Sequence, residues 1–394
     1  MEKNSNIRKI DGFLEPKYFR SFSCLGPECP EDCCFGWQID FTHDEVEKLK
    51  NAECSEQLKG IINKAFIPNG DIYKVNFDER GRCPMFNSDG LCSIQLELGV
   101  DYMSKTCMVY PRNYFRIGNK ILSYCDLSCY YIIDMLLNDS ECMTLISTSN
   151  ARYIPNLRGD TDDNIKKHHE LKYREQLFMF FYTLIAGAPC SAETALVMGL
   201  PVAERLTELI EKRLYGRIPD IIKAFWDQIN EHIKTANECK PDYELKLKFM
   251  IDLYKKIMNS TKAFDNIMTD GEIDLAKYEE GEKRFNEAFA GRPFAFKNIA
   301  LNMLMELSIP FKNMDYSLYE NYCYFAAVFS LLRTAAPAVY MGECDPSFYE
   351  QQLKGLLPYL GRSILQNAGV VKIVIDMLKE YGCTDRSHIA ALIK

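Results

Sequence analysis

Histidine is scarce in this chain, at five of 394 residues. His43 falls at a predicted helix start, and the adjacent His168 and His169 read as part of a solvated helix face, so no histidine metal site is expected. Positive charge is nowhere in excess: residues 1–130 carry 16 Lys/Arg against 19 Asp/Glu, and the remainder 31 against 36. With a net charge of −8 and no basic half, the chain is not expected to bind nucleic acid. No glycine-rich loop follows a strand and opens a helix, so neither a Rossmann site nor a P-loop is predicted. The C-x3-C-x2-C spacing of radical S-adenosylmethionine enzymes is also missing. After Cys29 and Cys33 the third position is Gly36, and after Cys125 and Cys129 it is Ile132.

Uninterrupted apolar runs are lacking too. Tyr322 to Met341 is nearly long enough to span a bilayer, but Arg333 lies within it and Pro337 breaks it. A central arginine costs roughly 2.5–3.5 kcal/mol on insertion, so the segment is expected to be a core helix and no membrane insertion is predicted. The stretch from Met1 to Phe19 has positive charge without the apolar core of a signal peptide, which predicts a cytoplasmic protein.

Cysteine is what the chain has in quantity, with 16 in all. Nine crowd into one stretch. Cys24, Cys29, Cys33 and Cys34 form a C-x4-C-x3-C-C cluster, and Cys83, Cys92, Cys107, Cys125 and Cys129 follow at intervals. In a reducing compartment such thiols are metal ligands before they are disulfides. Adjacent Cys33 and Cys34 are of little use in a core but natural as ligands with diverging side chains. Four thiolates close a tetrahedral zinc site or hold a cubane iron–sulfur cluster, and the spacing does not separate the two. Nine are more than one tetrahedral site needs, so either two sites exist or some sulfurs are packed. The turn Asn87 to Gly90 is expected to fold Cys83 and Cys92 toward one another. Cys54, Cys142, Cys190, Cys239, Cys323, Cys344 and Cys383 are expected to be ordinary packed residues.

With 47% hydrophobic and 26% charged residues, the chain can bury one large core or two modest ones. Residues 1–146 read as an irregular cysteine-rich metal-binding module with short β-elements. Thr42 and Glu45 form a capping box, Ile72 to Phe77 alternates like a strand, and Phe115 to Tyr124 reads as a hairpin turning at Gly118 and Asn119. Residues 147–164 are polar and read as a linker. Residues 165–394 repeat apolar residues at three and four, predicting an all-helical domain of about nine helices, one of them over Asp220 to Ala236. The expected fold is therefore mainly α, with the cysteine module packed on helices.

The ordered blocks CLGPECPEDCCFGWQID (Cys24 to Asp40), CPMFNSDGLCSIQLELG (Cys83 to Gly99) and SKTCMVYPR (Ser104 to Arg112) resemble the flagellin lysine-N-methylase family. The first two also resemble the zinc- or iron-chelating cysteine-cluster domain within it. NIALNMLMELSIPFK (Asn298 to Lys312) and the aromatic helix after Tyr316 are similar to that family's C-terminal half. The resemblance implies a protein-lysine N-methyltransferase that moves methyl groups from S-adenosylmethionine to surface lysines of flagellin. It further implies a metal centre on Cys24, Cys29, Cys33, Cys34, Cys83, Cys92, Cys107, Cys125 and Cys129, an iron–sulfur cluster of the 4Fe-4S type being favoured over zinc. A structural staple is the first role expected of that metal. Glu97, Asp101, Tyr110 and Arg112 lie inside the matching motifs and are candidate cofactor contacts; no catalytic residue is indicated. The alternative is a non-catalytic, metal-stabilised adaptor or iron chelator that binds a protein partner.

Overall fold

The Thr42 hydroxyl accepts from the Glu45 amide and the Glu45 carboxylate accepts from the Thr42 amide, so the capping box opens the helix His43–Lys50 as its sequence predicts. The computed structural model describes residues 11–31, 33–35, 39–149, 154, 157–339 and 345–394. Strands β1 (Gly12–Pro16), β2 (Asp40–Thr42), β3 (Phe66–Asn69), β4 (Ile72–Val75), β5 (Arg112–Ile117), β6 (Lys120–Cys125), β7 (Leu145–Thr148) and β8 (Leu157–Gly159) frame the N-terminal part. They fall into two sheets with different cores.

The smaller sheet runs β2-β4-β3, all antiparallel. Its helices His43–Lys50 and Glu56–Ala65 bury Val46, Leu49, Leu58 and Ile62 with Phe41 and Val75 of the strands and Met85 of the loop beyond. Each such side chain contributes about 1.5–3 kcal/mol by leaving water. Cys83 is buried in this core, and Cys34, Cys92 and Cys107 pack on its edge.

The larger sheet has the order β7-β1-β6-β5-β8. The predicted hairpin is present as β5 and β6, with Gly118 at φ +57° in its turn. β1 joins β6 in parallel and β8 joins β5 in parallel, both from distant segments. The helix Phe294–Glu306 packs on β6 and on the helix Tyr130–Asn138, and its Asn302 amide donates to the Cys125 carbonyl at 3.1 Å. Tyr18 donates to Asn302 at 2.5 Å and accepts from the Cys125 amide at 3.0 Å, which satisfies three buried polar groups at once. One apolar core therefore runs from the sheet into the helices.

Residues 147–164, expected as a linker, include the end of β7, all of β8 and the start of the helix Asp162–Lys167; 150–153 and 155–156 lie outside the described residues. The array beyond is helical as expected. Asp220 to Ala236 is two helices, Ile218–Asp227 and Ile229–Glu238, because Gln228 leaves helical geometry at φ −117° and ψ 20°. His168 and His169 do not share a long helix face: His168 ends the helix Asp162–Lys167 and His169 begins a tight 3-10 turn.

Ala192–Glu211 and Leu318–Ala338 cross at Gly199, where Tyr322 donates to the Leu196 carbonyl at 2.9 Å. A Cβ on Gly199 would lie 2.0 Å from that hydroxyl, so the contact requires glycine. Leu318–Ala338 covers most of the segment weighed as a span, and its Arg333 pairs with Glu193 at 2.7 Å. Among the described residues no helix is long and apolar enough to cross a membrane.

Candidate functional site

Eight of the nine motif cysteines line one cavity of about 830 Å³: Cys24, Cys29, Cys33, Cys34, Cys83, Cys92, Cys107 and Cys129. Their placement follows from local turns. Gly26–Glu28 forms a 3-10 turn between Cys24 and Cys29. The Cys83 amide donates to the Cys34 carbonyl at 2.8 Å, bringing the first and second motifs side by side. Asn87 then accepts from the amides of Asp89 and Leu91, both at 3.0 Å, and the resulting turn pairs Phe86 with Cys92. This is the turn expected to bring Cys83 and Cys92 together, and both line the cavity.

Cys92 and Cys129 stand immediately before the helices Ser93–Leu98 and Tyr130–Asn138. There the first amides of each helix favour the ionised thiol, but burial is the larger effect and raises both, Cys129 to about 12. Cys107 is in the helix Lys105–Val109, whose Ser104 cap accepts from the Cys107 amide at 3.1 Å. Burial pushes its thiol to about 12, with Cys83, Cys92 and Cys33 adding to the rise. Cys34 is raised by its hydrogen bond with Cys33, then by burial and by the sulfurs of Cys33, Cys83 and Cys92. Cys29 is raised chiefly by burial.

Cys29, Cys34, Cys92, Cys107 and Cys129, all raised, therefore hold their protons at neutral pH. A cation among them would reverse that balance, since thiol ligands bind as thiolates. Soft sulfur donors suit zinc or an iron–sulfur cluster. Among the described residues no three His, Cys, Asp or Glu side chains meet closely enough to hold a metal ion, and no disulfide joins any of the 15 described cysteines. The sulfurs ring a volume instead of closing on a point.

Cys125 stands apart, fully buried at the end of β6 with its backbone held by Tyr18 and Asn302, and it does not line the cavity. Of the cysteines expected to pack, Cys142, Cys323 and Cys383 are buried in the main core, and Cys54, Cys190 and Cys239 pack at core edges. Cys344 lies outside the described residues.

Tyr110 and Arg112 line the cavity, whereas Glu97 and Asp101 do not. Glu97 accepts from the Ser55 amide at 2.9 Å and hydroxyl at 3.0 Å, while the Asp101 carbonyl accepts from Lys48 at 2.8 Å. Tyr110 is hydrogen-bonded to Ser128 at 3.0 Å, and Arg112 donates to the Phe22 carbonyl at 3.0 Å with its guanidinium 4.6 Å from the Phe22 ring.

Sequence reasoning missed Arg362, which lines the same cavity from more than 200 positions beyond the last of its cysteines. No local pattern marks it. It also missed a carboxyl pair beside the cysteine motifs, half-buried Asp126 and buried Glu306. Burial raises Asp126 to about 6 and Glu306 well above the usual carboxylate range, and Glu306 accepts from the Leu127 amide at 2.9 Å.

The helical part of the chain matches a known family. The model of the FliB lysine N-methylase C-terminal domain matches residues 180–392, and the chain belongs to this family. It is 24% identical over 249 residues to the lysine-N-methylase of Salmonella typhimurium strain LT2, covering 61% of this chain and 59% of that protein. The same figures hold for the lysine-N-methylase of Salmonella choleraesuis strain SC-B67. The flagellar biosynthetic protein FliU of Salmonella muenchen is 28% identical over 135 residues, 33% of this chain and 80% of that protein. The chain thus spans about three fifths of the length of the two methylases. No solved structure matches.

Proposed function

We propose that this chain is a protein-lysine N-methyltransferase that uses S-adenosylmethionine and acts on surface lysines of flagellin. The observation that carries the reading is the single cavity lined by eight cysteines from separate segments and by Arg362 of the family's C-terminal domain. The relatives' names, lysine-N-methylase and a flagellar biosynthetic protein, support the reaction and the partner.

The cysteines of the cavity are the ligands we assign to a metal centre. Cys83 lies in the small core, Cys34, Cys92 and Cys107 pack on its edge, and Cys24, Cys29, Cys33 and Cys129 complete the wall. A volume of about 830 Å³ suits a multi-iron cluster beside a small ligand better than one zinc ion, whose bonds to sulfur are only about 2.3 Å. When bound, such a centre cross-links the small core and offers a Lewis-acidic iron. The chain's own groups hold the donor and exclude water, so that lysine nitrogen, methyl carbon and sulfonium can align for in-line displacement. Methyl transfer of this kind breaks the carbon–sulfur bond, forms a carbon–nitrogen bond and leaves a proton from the amine to be taken up.

The test is to incubate protein purified without oxygen with methyl-labelled S-adenosylmethionine and flagellin. Label on flagellin lysines supports the reading. Its absence with metal-loaded, donor-binding protein overturns the proposed reaction on flagellin.

A further inference from the structure

Arg362 reaches the cysteine cavity from the far end of the chain. It lies in a π-helical turn, Gly361–Leu365, that follows the helix Pro346–Leu360. Such turns are rare and recur at functional sites. Gly361 permits the approach: a Cβ there would be 2.9 Å from the Ser128 amide nitrogen and 3.1 Å from the Leu127 carbonyl carbon. A side chain would push the turn off the loop after β6. Gln366 fixes the other end of the turn by donating to the Ser128 hydroxyl at 3.0 Å.

Among the described residues, the charged side chains that line the cavity are Arg112, Arg362 and Glu31. Arg112 is already engaged, donating to the Phe22 carbonyl and stacked on that ring. Arg362 makes no ion pair or hydrogen bond with any described residue, although it is half-buried in a folded interface. A guanidinium placed in a cavity by a glycine-dependent turn and left uncommitted is a binding group. Its planar fork matches a carboxylate in bidentate geometry.

We infer that Arg362 is the carboxylate-recognising group of the cavity and takes the amino-acid end of a small-molecule methyl donor. This rests on the methyltransferase reading above and assigns the end of the donor that the chain grips. The second source of negative charge, a thiolate-bound metal centre, would also attract a guanidinium, and the test separates the two.

The experiment measures binding of S-adenosylhomocysteine and of its decarboxylated analogue to metal-loaded wild-type, R362Q and R362K proteins, with iron and sulfide measured on each. Wild type is expected to prefer the carboxylate-bearing ligand roughly tenfold or more. R362Q should lose that preference by weakening only the carboxylate-bearing ligand, and R362K should keep part of it, all at unchanged metal content. Equal weakening of both ligands, no effect of R362Q, or loss of iron in R362Q overturns the assignment. If wild type binds neither ligand, the donor reading fails and the inference falls with it; if it binds both alike, only the inference fails.

Discussion

Tyr110 and Ser128 are joined hydroxyl to hydroxyl at 3.0 Å, and the same Ser128 oxygen accepts from Gln366 at 3.0 Å. This chain of contacts ties the third cysteine motif, the loop after β6 and the C-terminal helices together beside the cavity. Ser128 is 2% exposed, so water cannot replace it. Ser128→Ala should destabilise the protein by about 1–3 kcal/mol, because it removes the one buried hydroxyl that both Tyr110 and Gln366 bond. Denaturant unfolding monitored at a probe in each core would measure it, and an unchanged midpoint would refute the role given to Ser128.

Cys239 and Cys383 lie away from the cavity, whereas Cys33 and Cys34 line it. Replacing the first pair with serine should leave metal content unchanged. Replacing Cys33 and Cys34 should lower it and destabilise the small core, since Cys34 is among the residues packed on that core. Metal analysis with thermal melting on both double variants checks this.

Arg174 is buried with Asp160 at 3.0 Å, donates to the carbonyls of Ser308 and Phe311 at 3.1 Å each, and lies 5.3 Å from the rings of both Phe115 and Phe311. One side chain thus fastens the segment after β8 to the loop between two core helices. Arg174→Ala should cost about 3–5 kcal/mol, the range for leaving one partner of a buried pair alone. A loss below about 1 kcal/mol in equilibrium unfolding would contradict this.

Lys246 is 1% exposed, and burial holds its ammonium down near 8, against the opposing pull of Glu282 and Glu193 and with Arg333 adding to the fall. A lysine whose folded value is lowered opposes folding most where it is charged in both states, below about pH 8. The penalty, on the order of 3 kcal/mol at most, is relieved as pH rises toward its unfolded value of about 10.5. Lys246→Met should therefore raise the melting temperature at pH 7 and lose that advantage between about pH 8 and pH 10.5. Melting curves across this range test it; an advantage that grew with pH would show the sign to be wrong.

Local signals are legible in the sequence. The Thr42 capping box, the β5–β6 hairpin and the turn at Asn87 are each encoded within a few residues, and long helices such as Ala192–Glu211 announce themselves by period. What composition could not show were the long-range pairings. β1 has all five residues buried and so no alternation to read, and its parallel partner β6 lies about a hundred residues on. The merging of that sheet with the helical core was invisible for the same reason. Among the cysteines, spacing grouped Cys125 with its neighbours, but strand geometry turns it into the core while Cys129, at a helix start, lines the cavity. Arg362 had no local signal because its placement depends on Gly361 packing against a loop formed by residues far away in the chain.

The most direct test of this account is iron and acid-labile sulfide analysis, with an absorption spectrum, on wild type and on the Cys33, Cys34 double serine variant, both purified without oxygen. The account predicts iron and sulfide in comparable amounts in wild type and their loss from the variant. Zinc without sulfide in wild type, or iron and sulfide retained undiminished in the variant, would contradict it.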